Sequence, residues 1–511
     1  MTILPLAGAV AVFMVGALSP RTGARLATGF WAMTAGVAAL LFTAYRPVAD
    51  ELASLWIREG AYALLPHWNV VYQPAADGLA LIFAAVLAGL GLAASLSMNG
   101  EATAIRAGLL AAAGCAFGAL FSTDLFLLFA FAEAAFALGL SPVFGAARDG
   151  AATPPSAGRS LLFLHVTGYP MLLAILALHW AGHGESFDLA SLMRVGLESP
   201  PATQNLMFAA FALTLAARVG IFPFHGWAIR AAETAEPSHA ACLCALSGSL
   251  GVYGFARVAV PLLPVGSATL GPWVAGAAAV GIVHLGALSL TRREPGRLIA
   301  IASSAFWSLA ALGIVTGSRP AISGAILLLV GQGLVFGALL IMLAALRERG
   351  DVPLAVAFAN MPRLSSAFAL AVLSLVGIPG TAGFVAQFLT LAGAFAEQPL
   401  FSAMALVGLA PISVAAVSLL RRAKSGDTGD TVPPRLTARE SVPLTALLAA
   451  VVLLGIRPGI VLERINPSVD RLAEEVRHRR ALSSLMEKPI RAVEDPFADD
   501  DAEPPDKEVT P

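Results

Sequence analysis

An arginine and a proline lie close together in the apolar stretch 217–227, which reads ARVGIFPFHGW. Arg218 carries a permanent charge, and a cation at the centre of a bilayer costs at least about 2.5–3.5 kcal/mol, so such residues are usually paired and functional. Pro223 removes a backbone donor and opens the helix. Because many transporters build ion paths where a broken helix meets a charge, this stretch predicts ion chemistry at mid-membrane depth.

A carboxylate, Glu133, lies inside the apolar stretch 125–136. In a bilayer an isolated carboxylate is protonated, whereas a nearby cation keeps it ionised. Arg218 is the available cation, and because arginine stays protonated in proteins it can bias Glu133 without relaying a proton itself. A carboxylate controlled in this way can load and release a proton. The alternative is a static ion pair that fixes helix packing.

Three histidines also lie inside apolar stretches, and imidazole is the side chain best suited to relay protons near neutral pH. His225 follows the proline break, where freed backbone groups can fix its tautomer. His165 and His284 lie in two other apolar stretches. For each of the three, the alternative is a hydrogen-bonded packing role.

The sequence contains no P-loop, no Rossmann fingerprint and no metal-ligand spacing. Its three cysteines supply neither a disulfide framework nor enough thiolates for an iron–sulfur cluster. The prediction is therefore a chain without its own catalytic centre, cofactor or metal. Nothing in the charge pattern indicates nucleic-acid binding.

Composition shows which elements must position these residues. Hydrophobic residues make up 57% of the 511 and charged residues only 13%, against about 25% charged in soluble domains. Long apolar runs recur along almost the whole chain, which predicts an all-α polytopic membrane protein of about 14 transmembrane helices. The predicted spans are 2–19, 26–45, 77–98, 106–122, 124–145, 159–181, 205–224, 238–260, 268–290, 297–316, 321–346, 364–393, 400–420 and 441–457.

A short sequence similarity within the chain predicts a structural repeat. Residues 219–223, VGIFP, in the seventh span are matched by residues 376–379, VGIP, in the twelfth. Since an odd number of spans per repeat inverts one copy relative to the other, we expect two inverted five-helix repeats, about 106–260 and 268–420. Their broken helices would lie at Pro223 and Pro379. The alternative is coincidence in a sequence rich in glycine and proline.

The chain is predicted to divide into a membrane domain, residues 1–457, and a polar tail, residues 458–511. Within the tail, residues 463–486 can form an amphipathic helix. Residues 494–511 are acidic and rich in proline, which predicts disorder. Arginines concentrate in the loops after odd-numbered spans, so the positive-inside rule places those loops in the cytoplasm and both termini outside.

The segment 218–257 contains RVGIFPFHGW, then EPSH, then GVYGFAR. This order of motifs resembles the antiporter-like subunits of complex I (M and N type), the D-type chains of Mrp cation/proton antiporters and the membrane subunits of energy-converting, formate hydrogenlyase-type hydrogenases. Further similarity lies in Glu133, in RLIA at 297–300 and in GIPGTAGF at 377–384. Together the matches cover roughly residues 70–420.

The resemblance implies a set of membrane charges that this chain carries only in part. The family has a glutamate on the fifth helix, lysines on the seventh and eighth, and a lysine or glutamate on the twelfth. Glu133 matches, Arg218 replaces the seventh-helix lysine, and Ser249 and Gln387 stand where the other charges belong. Residues 1–423 contain no lysine.

By the same resemblance, the chain is expected to be a proton-translocating subunit of a respiratory NADH:quinone oxidoreductase, a hydrogenase or an Mrp-type complex. It would lie in the bacterial inner membrane beside other membrane subunits, and peripheral iron–sulfur, hydrogenase or dehydrogenase subunits would supply any redox chemistry. Two alternatives stay open. Neutral Ser249 and Gln387 favour a non-conducting structural or coupling subunit, and the chain can also be an ion-coupled transport module outside redox complexes.

Overall fold

The computed structural model describes residues 1–46, 57–58, 60–98, 103–145, 155–350, 352–425 and 434–486, and these are nearly all helical. Within these ranges ten helices are long and apolar enough to cross a bilayer, and four shorter helices are also apolar. The prediction of a multi-pass helical membrane protein is therefore confirmed, while the count of 14 spans stays a prediction. Residues 494–511 lie outside the described ranges.

The helices, in chain order, are α1 (Ile3–Leu18), α2 (Pro20–Ala44), α3 (Gly78–Ser97), α4 (Thr103–Phe121), α5 (Leu125–Gly145), α6 (Pro155–Ala181), α7 (Leu189–Glu198), α8 (Pro201–Val219), α9 (Gly226–Thr234), α10 (Pro237–Gly254), α11 (Val260–Leu262), α12 (Pro264–Thr291), α13 (Pro295–Thr316), α14 (Arg319–Arg347), α15 (Leu354–Asn360), α16 (Pro362–Val376), α17 (Ala382–Glu397), α18 (Pro399–Ser425), α19 (Ala438–Ile456) and α20 (Gly459–Met486). A π-helical turn, Phe255–Ala259, joins α10 to α11.

Two small antiparallel ribbons, which the sequence patterns did not predict, lie between α2 and α3. Strands β1 (Ile57–Arg58) and β4 (Ala75–Ala76) form one ribbon, and β2 (Tyr62–Leu65) and β3 (Val70–Tyr72) form the other. Strands β2 and β3 are connected by the short 3₁₀ turn Pro66–Trp68, which is followed by Asn69 in the left-handed conformation. Strands of two to four residues are too short for an alternating pattern to stand out in sequence.

The centre of the bundle is formed by α10, α13 and α14. In their most apolar windows 89, 100 and 94% of the residues are buried. The corresponding figures for α2 and α6 are 22 and 33%, so these helices lie at the rim and present apolar side chains outward. Helix α20 contains the helix predicted at 463–486, and its apolar side packs against α3, α12 and α14.

The seventh predicted span is two helices rather than one. Helix α8 ends at Val219, Gly220 follows in the left-handed conformation with φ 83°, and α9 begins at Gly226. A left-handed residue of this kind ends many helices, and glycine adopts it without steric cost. Pro223, after a cis peptide bond, lies in the connection. The break is therefore where the sequence predicts it, although glycine rather than proline ends the helix.

The twelfth predicted span breaks in the same manner. Helix α16 ends before Gly377, which has φ 84°, and α17 begins at Ala382. Pro379 lies in the connection, followed by a second left-handed glycine, Gly380. Both breaks thus consist of a left-handed glycine and a proline two or three residues further on.

Candidate functional site

The end of α8 is tied to its neighbours by side chains that bond its last carbonyl groups. Ser247 Oγ of α10 donates to the carbonyl of Arg218 at 2.6 Å. Trp227 Nε1 of α9 donates to the carbonyl of Ala217, also at 2.6 Å. Carbonyls at a helix end have no partner within the helix, so these bonds satisfy groups that would otherwise be buried without one. The backbone that carries Arg218 is thereby held in place.

Arg218 and Glu133 form an ion pair that is largely buried. Nη2 of Arg218 donates to Oε1 of Glu133 on α5, and only 4% of the arginine side chain and 17% of the glutamate side chain are exposed. The guanidinium also lies 5.2 Å from the ring centroid of Phe136, within the range of a cation–π contact. The structure therefore brings together the two charges that the sequence singled out, 85 residues apart in the chain.

His165 of α6 is the third member of this cluster. Its Nε2 lies 3.8 Å from Oε2 of Glu133, and its Nδ1 lies 3.0 Å from the carbonyl of Leu161. When Nδ1 donates to that carbonyl, the neutral ring turns the lone pair of Nε2 toward the carboxylate. At 3.8 Å, Nε2 of His165 and Oε2 of Glu133 are beyond direct hydrogen-bond distance.

A second cluster consists of two histidines at the first helix break. The rings of His225 and His284, which lies on α12, have centroids 5.2 Å apart, and Phe222 stacks on His225 at 5.9 Å. Nδ1 of His225 is buried without a hydrogen-bond partner, whereas His284 is exposed on the outer face of its helix. Across the described ranges, neither histidine bonds or pairs with Glu133 or Arg218.

Ser249 and Gln387 lie apart from both clusters. Ser249 is buried on α10, two residues beyond Ser247. Gln387 of α17 donates from Nε2 to the carbonyl of Leu375 at 3.0 Å, and its amide packs against Gly377. Gln387 therefore bonds the end of α16 at the second break, much as Ser247 and Trp227 bond the end of α8 at the first.

The structure adds two buried polar residues of the central helices, Gln332 and Trp307, that sequence reasoning passed over. Gln332 is fully buried on α14, where its Nε2 lies 3.5 Å from the carbonyl of Ser374 and its Oε1 has no partner. The signal was present, because Gln332 is an isolated amide in the apolar run LLLVGQGLVFG. Trp307 Nε1 and Ser304 Oγ, both on α13, are also buried without partners.

Trp307 and Ser304 line a cavity of about 20 Å³ whose other walls include Ser247, Ser303 and Trp227. A volume of this size holds about one water molecule, and water commonly satisfies buried polar atoms of this kind. As for metals, the described residues contain no group of three or more His, Cys, Asp or Glu side chains that could hold an ion.

Residues 122–413, more than half of the chain, match the NADH:quinone oxidoreductase/Mrp antiporter transmembrane family. The chain belongs to this family. The matched region runs from the start of α5 into α18, so it contains the Glu133–Arg218 pair and both helix breaks. The resemblance stated from the motifs is thereby confirmed.

Relatives and solved structures of the family are similar over nearly the full chain. The chain is 27% identical over 499 residues to NADH-quinone oxidoreductase subunit M of Rhodobacter capsulatus, covering 93% of this chain and 95% of that one. A chain of respiratory complex I from Thermus thermophilus shares the fold with a TM-score of 0.84 at 22% identity, and the match covers 93% of this chain and 98% of that one. A chain of the Mrp complex from Dietzia sp. DQ12-45-1b shares the fold with a TM-score of 0.75 at 17% identity, and the match covers 94% of this chain and 98% of that one.

Proposed function

We propose that this chain is a proton-translocating, antiporter-like membrane subunit of a multi-subunit respiratory complex in the bacterial inner membrane. The observation that carries the proposal is the buried contact between Glu133 and Arg218 with His165 beside it. The relatives at 27–29% identity are named NADH-quinone oxidoreductase subunit M, which favours an NADH:quinone oxidoreductase over a hydrogenase or an Mrp-type complex. Its partners would be other membrane subunits and, through them, peripheral redox subunits.

In the proposed mechanism Arg218 controls the protonation of Glu133. While the guanidinium contacts the carboxylate, Glu133 is stable as an anion. When the guanidinium withdraws, the carboxylate is left in apolar surroundings and takes up a proton. The proposed route for this proton is through His165, whose Nε2 lies 3.8 Å from Oε2 of Glu133. Return of Arg218 expels the proton. Arg218 moves no proton itself, because arginine stays protonated.

The onward path is proposed to use the polar atoms of the two breaks and of the bundle centre. The second cluster, which consists of His225 and His284, lies at the first break and reaches the outer face of the protein. Ser249 and Gln387 can hold water but cannot change charge. The two broken helices belong, in this proposal, to the inverted repeats 106–260 and 268–420.

A non-conducting coupling subunit is the second candidate. The observation that favours it is the bond from Gln387 to Leu375, since a side chain that holds a helix end has a structural role without titrating. In this reading Gln387, which stands where the family carries a charge, stabilises the second helix break through this bond. A transport module outside redox complexes is the third candidate, and its support is the shared fold of the Mrp chain.

The test is proton movement by the purified native complex in proteoliposomes carrying Glu133→Gln. We expect proton movement per complex to be lost while yield and subunit composition stay normal. The matched control is Glu397→Gln, which neutralises an exposed glutamate at the end of α17. Normal proton movement per complex in Glu133→Gln, with reduced assembly, would support the coupling subunit instead.

A second measurement identifies the complex. The chain is extracted in mild detergent and co-purifying chains are determined by mass spectrometry. Dehydrogenase or hydrogenase subunits place it in a redox-driven machine. Recovery alone, or only with other antiporter-like chains, excludes that role.

A further inference from the structure

Four arginines from three parts of the chain surround one cavity at the end of the bundle. The cavity measures about 650 Å³ and lies among the starts of α10 and α13 and the ends of α14 and α18. Its lining includes a single acidic residue, Glu294, so positive charge is in excess. The arginines are Arg293, Arg297, Arg347 and Arg422.

Two helices begin at this cavity without a side-chain cap. Helix α10 starts at Pro237 and α13 at Pro295, and both prolines line the cavity. The preceding residues, Glu236 and Glu294, make no side-chain cap bond to the first turn. The amide groups and the positive dipole of a helix start favour an anion at this position. Glu236 instead lies 3.4 Å from Arg347, outside the cap position.

One wall of the same cavity is apolar. It is formed by Leu343, Leu346, Val352, Leu354 and Leu419. The cavity therefore joins an anion-binding side to a hydrophobic side at the end of membrane-crossing helices. The arginine distribution predicts that this end faces the cytoplasm. Basic pockets between transmembrane helices on that side suit phospholipid head groups.

We propose that this cavity binds an anionic phospholipid. The lipid phosphate would lie among the arginines and the two helix starts, and an acyl chain would lie along the apolar wall. Two lipid features are needed to fill both sides, a negative head group and a hydrocarbon chain. The proposal is independent of the proton path, because none of the lining residues belongs to the Glu133 or His225 cluster.

The experiment measures lipid binding to the full-length chain, delipidated in detergent, by native mass spectrometry. The probes are phosphatidylglycerol, phosphatidylcholine with the same acyl chains, and inorganic phosphate. The variant is Arg293→Gln with Arg422→Gln. Its control is Arg421→Gln with Arg194→Gln, which removes two exposed arginines outside the cavity. We expect phosphatidylglycerol to bind the variant at least about tenfold more weakly, the factor of one charge-assisted hydrogen bond, and to bind the control as it binds the native chain.

Three results would overturn the proposal. The first is equal phosphatidylglycerol binding by the variant and the native chain, and the second is inorganic phosphate binding as tightly as the lipid. The third comes from the native complex with the photoreactive residue p-benzoylphenylalanine in place of Leu343. A cross-link to a neighbouring polypeptide there would mean that protein covers the cavity, whereas we expect a lipid adduct.

Discussion

Gly168 of α6 lies directly against the carboxylate of Glu133 on α5. A Cβ atom at position 168 would overlap Oε1, the oxygen that accepts the bond from Arg218. The absence of a side chain at Gly168 is therefore what allows the carboxylate to reach the guanidinium. Since a glutamate side chain is flexible, a methyl group there would displace the carboxylate rather than break the helix contact.

Gly168→Ala is expected to leave the complex assembled but to lower proton movement markedly, because it moves Glu133 away from Arg218. The measurement is the rate of proton uptake by proteoliposomes, divided by the amount of complex present. The control is Gly89→Ala on α3, where an added Cβ meets nothing within 4 Å. It shares the gain in helix propensity that alanine brings. Equal rates in the two variants would contradict the role assigned to the contact.

The buried ion pair predicts a non-additive pair of substitutions. Arg218→Gln leaves Glu133 as a buried carboxylate without a cation, which should cost about 3–5 kcal/mol of stability at neutral pH. Adding Glu133→Gln removes the unpaired charge, so the double variant should be more stable than Arg218→Gln alone. Thermal unfolding of the purified chains measures both.

The same cycle separates an interacting pair from two independent side chains. If the guanidinium and the carboxylate interact, the loss of stability in the double variant should be smaller than the sum of the two single losses. Additive losses would argue that the two side chains do not interact in the folded protein.

The left-handed glycines that follow α8 and α16, Gly220 and Gly377, predict two stability losses of different size. Gly220→Ala and Gly377→Ala each force a side chain into the left-handed region, at a cost of about 1–2 kcal/mol. At Gly377 the new Cβ would also stand 2.8 Å from Oε1 of Gln387, whereas at Gly220 the nearest atom is 3.6 Å away. Gly377→Ala should therefore have the lower unfolding temperature. Gly29→Ala, whose Cβ meets nothing within 4 Å, is the control, and a reversed order would contradict the assignment.

Much of the membrane architecture could be predicted from sequence because a bilayer constrains composition strongly. Apolar runs of helical length, interrupted by few charges, indicate spans without any knowledge of packing. The same rarity makes Glu133 and Arg218 conspicuous. Glycine and proline interrupt a helix through their own backbone geometry, so the breaks near Pro223 and Pro379 could be predicted correctly from the sequence. The two β ribbons between α2 and α3 were missed because their strands are so short.

Which side chains meet was decided by tertiary structure alone. The contact of Glu133 with Arg218 and the bond from Ser247 to the carbonyl of Arg218 join different helices. The ion pair of Arg349 with Glu440, at 2.6 Å between Nη1 and Oε1, joins residues 91 apart in the chain. Helix rotation and register determine such contacts, and an apolar run leaves both undetermined.

The amino-acid sequence alone is enough to predict that this protein crosses the membrane many times, carries a small number of intramembrane charges and breaks two of its helices. Those features follow from local chemistry, because each helix must satisfy its own backbone in lipid and each charge must find a partner. Three features are visible only in the folded protein: Gly168 leaves space for Glu133, Gln387 bonds the end of α16, and arginines from three parts of the chain surround one cavity. Each of these depends on how helices pack against one another, which no local pattern in the sequence determines.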